Sequence, residues 1–196
     1  MIYADYINEA IRNEKAPKKA VFLDRDGTIN VDKVNTVRVA DLEYLPGVIE
    51  SLKSFVDNGY ILVIVSNQDG VRKGMYGPED MHIFNMKIIN DLKEHGIEVA
   101  GVYYSPYSKA DNHYSFKPNP GMLLDAIADF NIDPKESFFI GDQMSDVIAG
   151  LNSGVQPLLV TTGIYKTPLE NDPAYLKYRP TTFKYISDCV PLIIGD

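Results

Sequence analysis

Apolar and polar positions follow two rhythms along this chain. Five short runs are apolar almost throughout: Ala20 to Leu23, Ile61 to Val65, Val99 to Tyr104, Phe138 to Ile140 and Val155 to Val160. Such runs suit strands buried on both faces of a parallel sheet. Between them, apolar residues recur at helical spacing: Ile49, Leu52, Phe55 and Val56; Met81, Phe84, Ile88 and Leu92; Leu124, Ile127 and Phe130; and the stretch from Ser145 to Leu151. Pro46-Gly47, Pro78 and Pro120-Gly121 open the first three of these segments, while Asn58-Gly59, His95-Gly96 and Ser153-Gly154 act as stops. Strands alternating with helices give βαβ units with right-handed crossovers. The predicted fold class is therefore α/β: a three-layer, Rossmann-like parallel sheet with helices on both faces.

The two ends break this pattern. Residues 1–19 are polar, with Ile2, Tyr6, Ile7 and Ile11 at rough helical spacing, and are read as an N-terminal helix or arm. Residues 20–196 are read as one domain, with the Pro- and Tyr-rich stretch Thr167–Pro180 looping over the surface. Thr182–Ile194 reads as a small strand and helix packing back on the sheet. At 196 residues, a single core is large enough to need no disulfides or structural metal. The lone cysteine, Cys189, excludes a disulfide framework and a multi-cysteine zinc site. A net charge of -8 counts against a nucleic-acid partner. The expectations are a cytoplasmic protein with no membrane partner, a small phosphorylated substrate and, by default, a monomer.

Chemistry enters where the apolar runs end. Ligands of open parallel sheets bind outside the carboxyl ends of the strands. Those ends carry Asp24-Arg25-Asp26-Gly27-Thr28, Ser66-Asn67-Gln68 and Gly141-Asp142-Gln143-Met144-Ser145-Asp146, and Lys117 precedes Pro118 just ahead of a helix. Asp24, Asp26, Asp142 and Asp146 would converge at one end of the sheet. Such a cluster repels itself unless a cation compensates, and an all-oxygen set favours Mg²⁺. Lys117 can hold a nucleophilic carboxylate and neutralise phosphate oxygens, with Ser66 and neighbouring backbone N–H groups cradling the phosphate. In the D-x-D pair one carboxylate can attack phosphorus while the other protonates the leaving oxygen.

These segments resemble, in order, the four motifs of the haloacid dehalogenase superfamily: Asp24-Arg25-Asp26-Gly27-Thr28-Ile29-Asn30, Ser66-Asn67-Gln68, Lys117-Pro118-Asn119-Pro120-Gly121-Met122, and Gly141-Asp142 through Asp146. The likeness runs from about residue 20 to 163 and is greatest to the histidinol-phosphate and D,D-heptose 1,7-bisphosphate phosphatase group, whose members lack a large cap domain. The resemblance implies Asp24 as nucleophile and Asp26 as general acid, then base. It implies Asp24, Asp26 (through its carbonyl) and Asp142 as Mg²⁺ ligands, with Ser66, Asn67 and Lys117 holding the phosphoryl group. Asp146 would orient Lys117 or the metal's water shell, and Arg25 would support the site or line its rim.

Two departures bear on specificity. That group often carries a cysteine-rich zinc loop before the third motif, but the stretch Ser105–Ser115 has no cysteine. His113 alone cannot replace four zinc ligands. No zinc is expected, and Tyr104, Tyr107 and Tyr114 are expected to order the loop instead. Phe116 stands where the group usually has an arginine; an arginine fork grips phosphate or sugar hydroxyls, and phenylalanine cannot. The function expected is an Mg²⁺-dependent phosphomonoesterase for a small sugar or polyol phosphate, like the heptose bisphosphate 7-phosphatases. A histidinol-phosphate phosphatase, a nucleic-acid 3′-phosphatase and a non-catalytic sugar-phosphate-binding module are the alternatives.

Overall fold

The computed structural model describes residues 3–34, 36–164 and 169–195. Its elements, in chain order, are β1 (Tyr3–Ile7), α1 (Glu9–Asn13), β2 (Lys19–Leu23), α2 (Val48–Asp57), β3 (Tyr60–Asn67), α3 (Asp69–Arg72), α4 (Pro78–Glu94), β4 (Val99–Ser105), α5 (Gly121–Phe130), β5 (Phe138–Gly141), α6 (Met144–Ser153), β6 (Gln156–Val160), α7 (Pro173–Tyr178), β7 (Thr181–Phe183) and α8 (Val190–Ile194). The strands form one seven-stranded sheet in the order β1-β4-β3-β2-β5-β6-β7. All neighbours are parallel except β1 and β4.

Strand periodicity divides the core into two layers. Val21 and Leu23 of β2, with Leu62 and Ile64 of β3, pack with Leu52 and Phe55 of α2, Phe84 and Ile88 of α4, and Ile193 of α8. The alternate positions, Ala20, Phe22, Val63 and Val65, face Met122, Leu123, Ala126 and Phe130 of α5 and Ala149 of α6. Both faces of the central strands are covered, which is why their sequences are apolar throughout. The connections β2–α2 and β3–α4 leave only residues 24–47 and 68–77 above the site, too few for a large cap domain. No described helix is long and apolar enough to cross a membrane.

The structure changes the reading of both ends. Residues 3–7, expected as a helix or arm, are a strand that pairs antiparallel with β4, Tyr6 opposite Val102 and Ile7 opposite Gly101. The unpaired edge of β4 supplies backbone partners that an isolated helix would lack, and Tyr and Ile suit a strand. The helical spacing was real only from Asn8 on: its side chain caps α1 by accepting from the backbone N–H groups of Ala10 and Ile11. In the stretch expected to be loop, Asp172 accepts from the N–H groups of Ala174 and Tyr175, and Pro173 sits in the first turn, so α7 forms there. Residues 167 and 168 of that stretch lie outside the described residues. The small strand and helix expected between 182 and 194 are β7 and α8.

Candidate active site

The carboxyl ends of β2, β3 and β5 converge on a cleft of about 310 Å³. Asp24, Asp26, Ser66, Asn67, Lys117, Asp142 and Asp146 all line it. Asp24 is the first residue beyond β2, and its N–H donates to the Ile140 carbonyl at 2.9 Å. That bond extends the parallel pairing past the end of the strand and fixes where the side chain starts. Asp142 follows β5 directly, and Asp146 lies in the first turn of α6, where its Oδ2 accepts from the Gln143 N–H at 2.8 Å.

Asp24, Asp142 and Asp146 are all buried, with one oxygen from each within 4.8 Å of the others. Among the described residues a single cation answers them. The buried Lys117 Nζ stands 2.5 Å from Asp24 Oδ1 and 2.7 Å from Asp146 Oδ1, and donates to the Val65 carbonyl at 3.0 Å. Burial opposes the ammonium charge, but Asp146 and Asp24 outweigh it and hold the Lys117 pKa above its ordinary value. For Asp24 the balance goes the other way. Burial raises its pKa, Lys117 lowers it, Asp146 raises it again, and the carboxyl ends pushed up to about 6. Burial, followed by the charges of Asp24 and Asp146, raises Asp142 well above the usual carboxylate range. Among the described residues Asp142 Oδ1 is buried with no hydrogen-bond partner, so it is free to serve as a ligand. Three carboxylates against one ammonium, with an orphaned oxygen among them, fit a hard divalent cation.

Two glycines press on Asp142. A Cβ on Gly163 would lie 1.7 Å from Asp142 Oδ2, and one on Gly27 would lie 2.7 Å from the same atom. Gly27 also has φ +85°, which disfavours any other residue. The Thr162 hydroxyl donates to the Gly27 carbonyl at 2.6 Å and ties the loop after β6 to the loop after β2.

Asp26 occupies different surroundings. Its carboxylate lies outside the three-carboxylate cluster and accepts from four donors. Arg25 Nη2 and Gln68 Nε2 reach Oδ2 at 2.7 and 2.9 Å, while Asn30 Nδ2 and Arg25 Nε reach Oδ1 at 2.9 and 3.3 Å. Gln68 also donates to Ser66 Oγ at 2.7 Å and accepts from the Tyr76 hydroxyl at 2.7 Å. Arg25 is wholly buried, so it supports the site from beneath and does not line the rim.

The Asn67 carboxamide has a task that its motif does not announce. Its Nδ2 donates to the Lys117 carbonyl at 3.0 Å, and its Oδ1 accepts from the Lys117 N–H at 2.9 Å. It therefore clasps the backbone that delivers the lysine. Sequence reasoning gave no role to Gln68, Asn30, Tyr76 or Asn85. The first two stand inside quoted motifs, so their positions carried a signal; Tyr76 carried none. Asn85 falls in phase with Met81, Phe84 and Ile88, and a polar residue on the apolar face of a helix is itself a signal. At the end of α3, Lys73 pairs with Asp69 at 2.6 Å and Arg72 with Asp111 at 3.6 Å. In the loop after β4, Tyr107 stacks on His113 with ring centroids 3.6 Å apart. Tyr104 is buried, whereas Tyr114 is half exposed and points its hydroxyl at Asp125, 3.3 Å away. The expected tyrosine packing thus includes a histidine.

The chain is similar to known phosphatases in sequence and in fold. Residues 116–188 match the family model described as HAD-hydrolase-like. The D-glycero-beta-D-manno-heptose-1,7-bisphosphate 7-phosphatase of Haemophilus ducreyi is 38% identical over 154 residues, covering 74% of this chain and 85% of the relative. The D-glycero-alpha-D-manno-heptose-1,7-bisphosphate 7-phosphatase of Campylobacter jejuni is 36% identical over 142 residues, covering 72% and 81%. Among solved structures, a HAD-like phosphatase from Mesorhizobium loti superposes with a TM-score of 0.77 at 28% identity, covering 92% of this chain and 88% of that one. The D,D-heptose 1,7-bisphosphate phosphatase of B. bronchiseptica, complexed with magnesium and phosphate, superposes with a TM-score of 0.81 at 24% identity, covering 90% and 98%.

Proposed function

Since this chain belongs to the haloacid dehalogenase-like family of phosphatases, we propose that it hydrolyses the phosphomonoester of a small sugar or polyol through a phosphorylated Asp24, with a heptose 1,7-bisphosphate as the leading substrate candidate. The observation that carries this reading is the buried Asp24–Lys117–Asp146 chain, with Nζ 2.5 and 2.7 Å from the two carboxylates, beside the orphaned oxygen of Asp142. Lys117 favours the ionised form of Asp24 and orients one of its oxygens, leaving the other to attack.

In the first half-reaction an Asp24 oxygen forms a bond to phosphorus. The bond from phosphorus to the leaving oxygen breaks, and that oxygen takes a proton from the Asp26 carboxyl group. Asp26 is then a carboxylate and can remove a proton from water. In the second half-reaction the resulting oxygen attacks phosphorus, the Asp24–phosphorus bond breaks, and inorganic phosphate leaves. The four donors around Asp26 hold its carboxyl group in place for both halves. Ser66 and the backbone beside it line the phosphate's place, and Asn67 acts indirectly by fixing Lys117.

Mg²⁺ is the ion that the donor set fits. Asp24 and Asp142, with the main chain of Asp26 as the resemblance implies, would hold it, and it would neutralise the phosphoryl oxygens and the crowded carboxylates.

The test is phosphate release with Mg²⁺ across heptose 1,7-bisphosphates, other sugar phosphates, histidinol phosphate and 3′-phosphorylated oligonucleotides. The expected result is turnover of a sugar phosphate, abolished by EDTA and restored by Mg²⁺, with no stoichiometric zinc in the purified protein. Preference for the oligonucleotide would replace this substrate class. Silence across the panel, with Asp24→Asn identical to the wild type, would leave a binding module.

A further inference from the structure

We propose that Asn85 and Asp5 are positioning residues for the acid–base step: acting through Arg25, they fix the direction in which Asp26 presents its carboxyl group. This rests on the assignment of Asp26 made above, and the experiment below separates the two.

Arg25 precedes Asp26 in the chain and grips both of its oxygens. A long side chain gripping its own neighbour gives no fixed direction unless its far end is anchored. Here every N–H of the guanidinium has an acceptor. Nε and one N–H of Nη2 serve Asp26. The other N–H of Nη2 donates to the Thr36 carbonyl at 2.8 Å. Nη1 donates to Asn85 Oδ1 at 3.2 Å and faces Met81 Sδ at 3.6 Å. The guanidinium also lies over the Phe84 ring, 4.6 Å from its centroid. Removing the Asn85 acceptor leaves a buried donor unpaired and lets the fork pivot.

A carboxamide presents an acceptor on one side and a donor on the other, so something must choose its orientation. Asn85 is 2% exposed, and its Nδ2 donates to Asp5 Oδ2 at 2.9 Å. Asp5 can only accept when ionised. A flipped Asn85 would set its NH₂ against the guanidinium and its oxygen against the carboxylate, two repulsive contacts in place of two hydrogen bonds. Asp5 thereby determines which face Asn85 turns to Arg25. It does so from β1, which lies ahead of the stretch carrying the four motifs, and its second oxygen is 3.1 Å from Nδ1 of His82. The line Asp5–Asn85–Arg25–Asp26 thus runs from the edge strand through α4 to the reacting carboxyl.

The experiment compares kcat/KM for p-nitrophenyl phosphate, whose leaving group departs without a proton, and phenyl phosphate, whose leaving group needs one. Asn85→Leu is expected to lower the phenyl phosphate value roughly 10-fold and the p-nitrophenyl value less than about twofold, because acid catalysis and its alignment matter only to the poorer leaving group. Asp5→Ala is expected to show the same pattern at roughly threefold. Asp5→Asn keeps an acceptor and should stay near the wild type. Combining Asp5→Asn with Asn85→Asp reverses the polarity of their hydrogen bond and should recover most of the loss that Asn85→Asp causes alone. Equal losses on both substrates, or a wild-type Asn85→Leu protein, overturn the proposal. If Asn85→Leu fails to fold, the Asp5 variants and the swapped pair carry the same test. Asp26→Asn is the control. If it shows no dependence on the leaving group, the acid–base assignment falls with the relay; if it does while the Asp5 and Asn85 variants do not, only the relay falls.

Discussion

Asp24 and Asp26 are two residues apart and chemically identical, yet they sit in opposite surroundings. Asp24 faces two other carboxylates and a single ammonium, so its ionised form is crowded and its pKa is pushed up to about 6. Among the described residues, the side chains that Asp26 hydrogen-bonds are all donors, from Arg25, Asn30 and Gln68. The first arrangement leaves a negative charge in need of a cation and gives a carboxylate that can be turned on an electrophile. The second holds its carboxyl group by four hydrogen bonds from three side chains. One turn of chain beyond β2 is enough to separate the two environments, because the strand end points Asp24 into the cluster while the Arg25 fork draws Asp26 aside. Side-chain type alone would not distinguish them; the neighbours do.

The sharpest way to break this comparison is to neutralise each carboxylate in turn. Asp24→Asn should lower kcat by at least about 10⁴-fold, since no other group is placed to attack phosphorus. Its melting temperature should not fall, because the substitution removes a crowded charge. Phosphatase assay together with thermal denaturation checks both, and residual turnover near the wild type would remove Asp24 from the role. Asp26→Asn should cost roughly 10²- to 10⁴-fold, the ordinary worth of general acid–base catalysis. A smaller loss on an activated aryl ester than on an alkyl ester identifies the acid step. Asn67→Ala should cost about 10-fold in kcat, by loosening the Lys117 backbone without removing its charge. Lys117→Met in the same assay should cost more, and the reverse order would contradict the clasp.

The remaining effect is thermodynamic. Because the Asp24 pKa is raised when folded, its ionised form costs stability above about pH 6, and protonation relieves that cost as pH falls. A divalent cation relieves the same cost at higher pH. Mg²⁺ at about 100 times its Kd should therefore raise the melting temperature at pH 7.5 by roughly 5–10 °C. The gain should shrink as the pH falls through 6, where protons compete for the same oxygens. Differential scanning fluorimetry with and without EDTA measures it, and a gain that does not vary with pH would place the cation elsewhere.

The central sheet was legible in the sequence because a doubly covered strand can be written only in apolar residues, and β2 through β6 are written that way. The four motifs were legible because each falls where such a strand ends or a helix begins. The edge strand β1 was not, because pairing with β4 is decided by the edge it meets and five residues carry too little periodicity. The Asn67 clasp was equally hidden: it joins groups fifty residues apart and depends on where the backbone of Lys117 arrives. Gln68 and Asn30 could be seen as motif members, but only their distances to Asp26 say what they touch.

The clasp also bears on how such an enzyme can change over evolutionary time. The lysine is registered by an asparagine on β3, and the Ser115 hydroxyl, just before it, donates to the Ser105 hydroxyl at 2.9 Å. The chain between those serines is thus fastened at its root, and its tip carries none of the groups assigned to the chemistry. That tip is a replaceable part. It can be lengthened, shortened or rebuilt around a different cross-link, including aromatic stacking where others use a metal, while the reaction centre beneath stays in register.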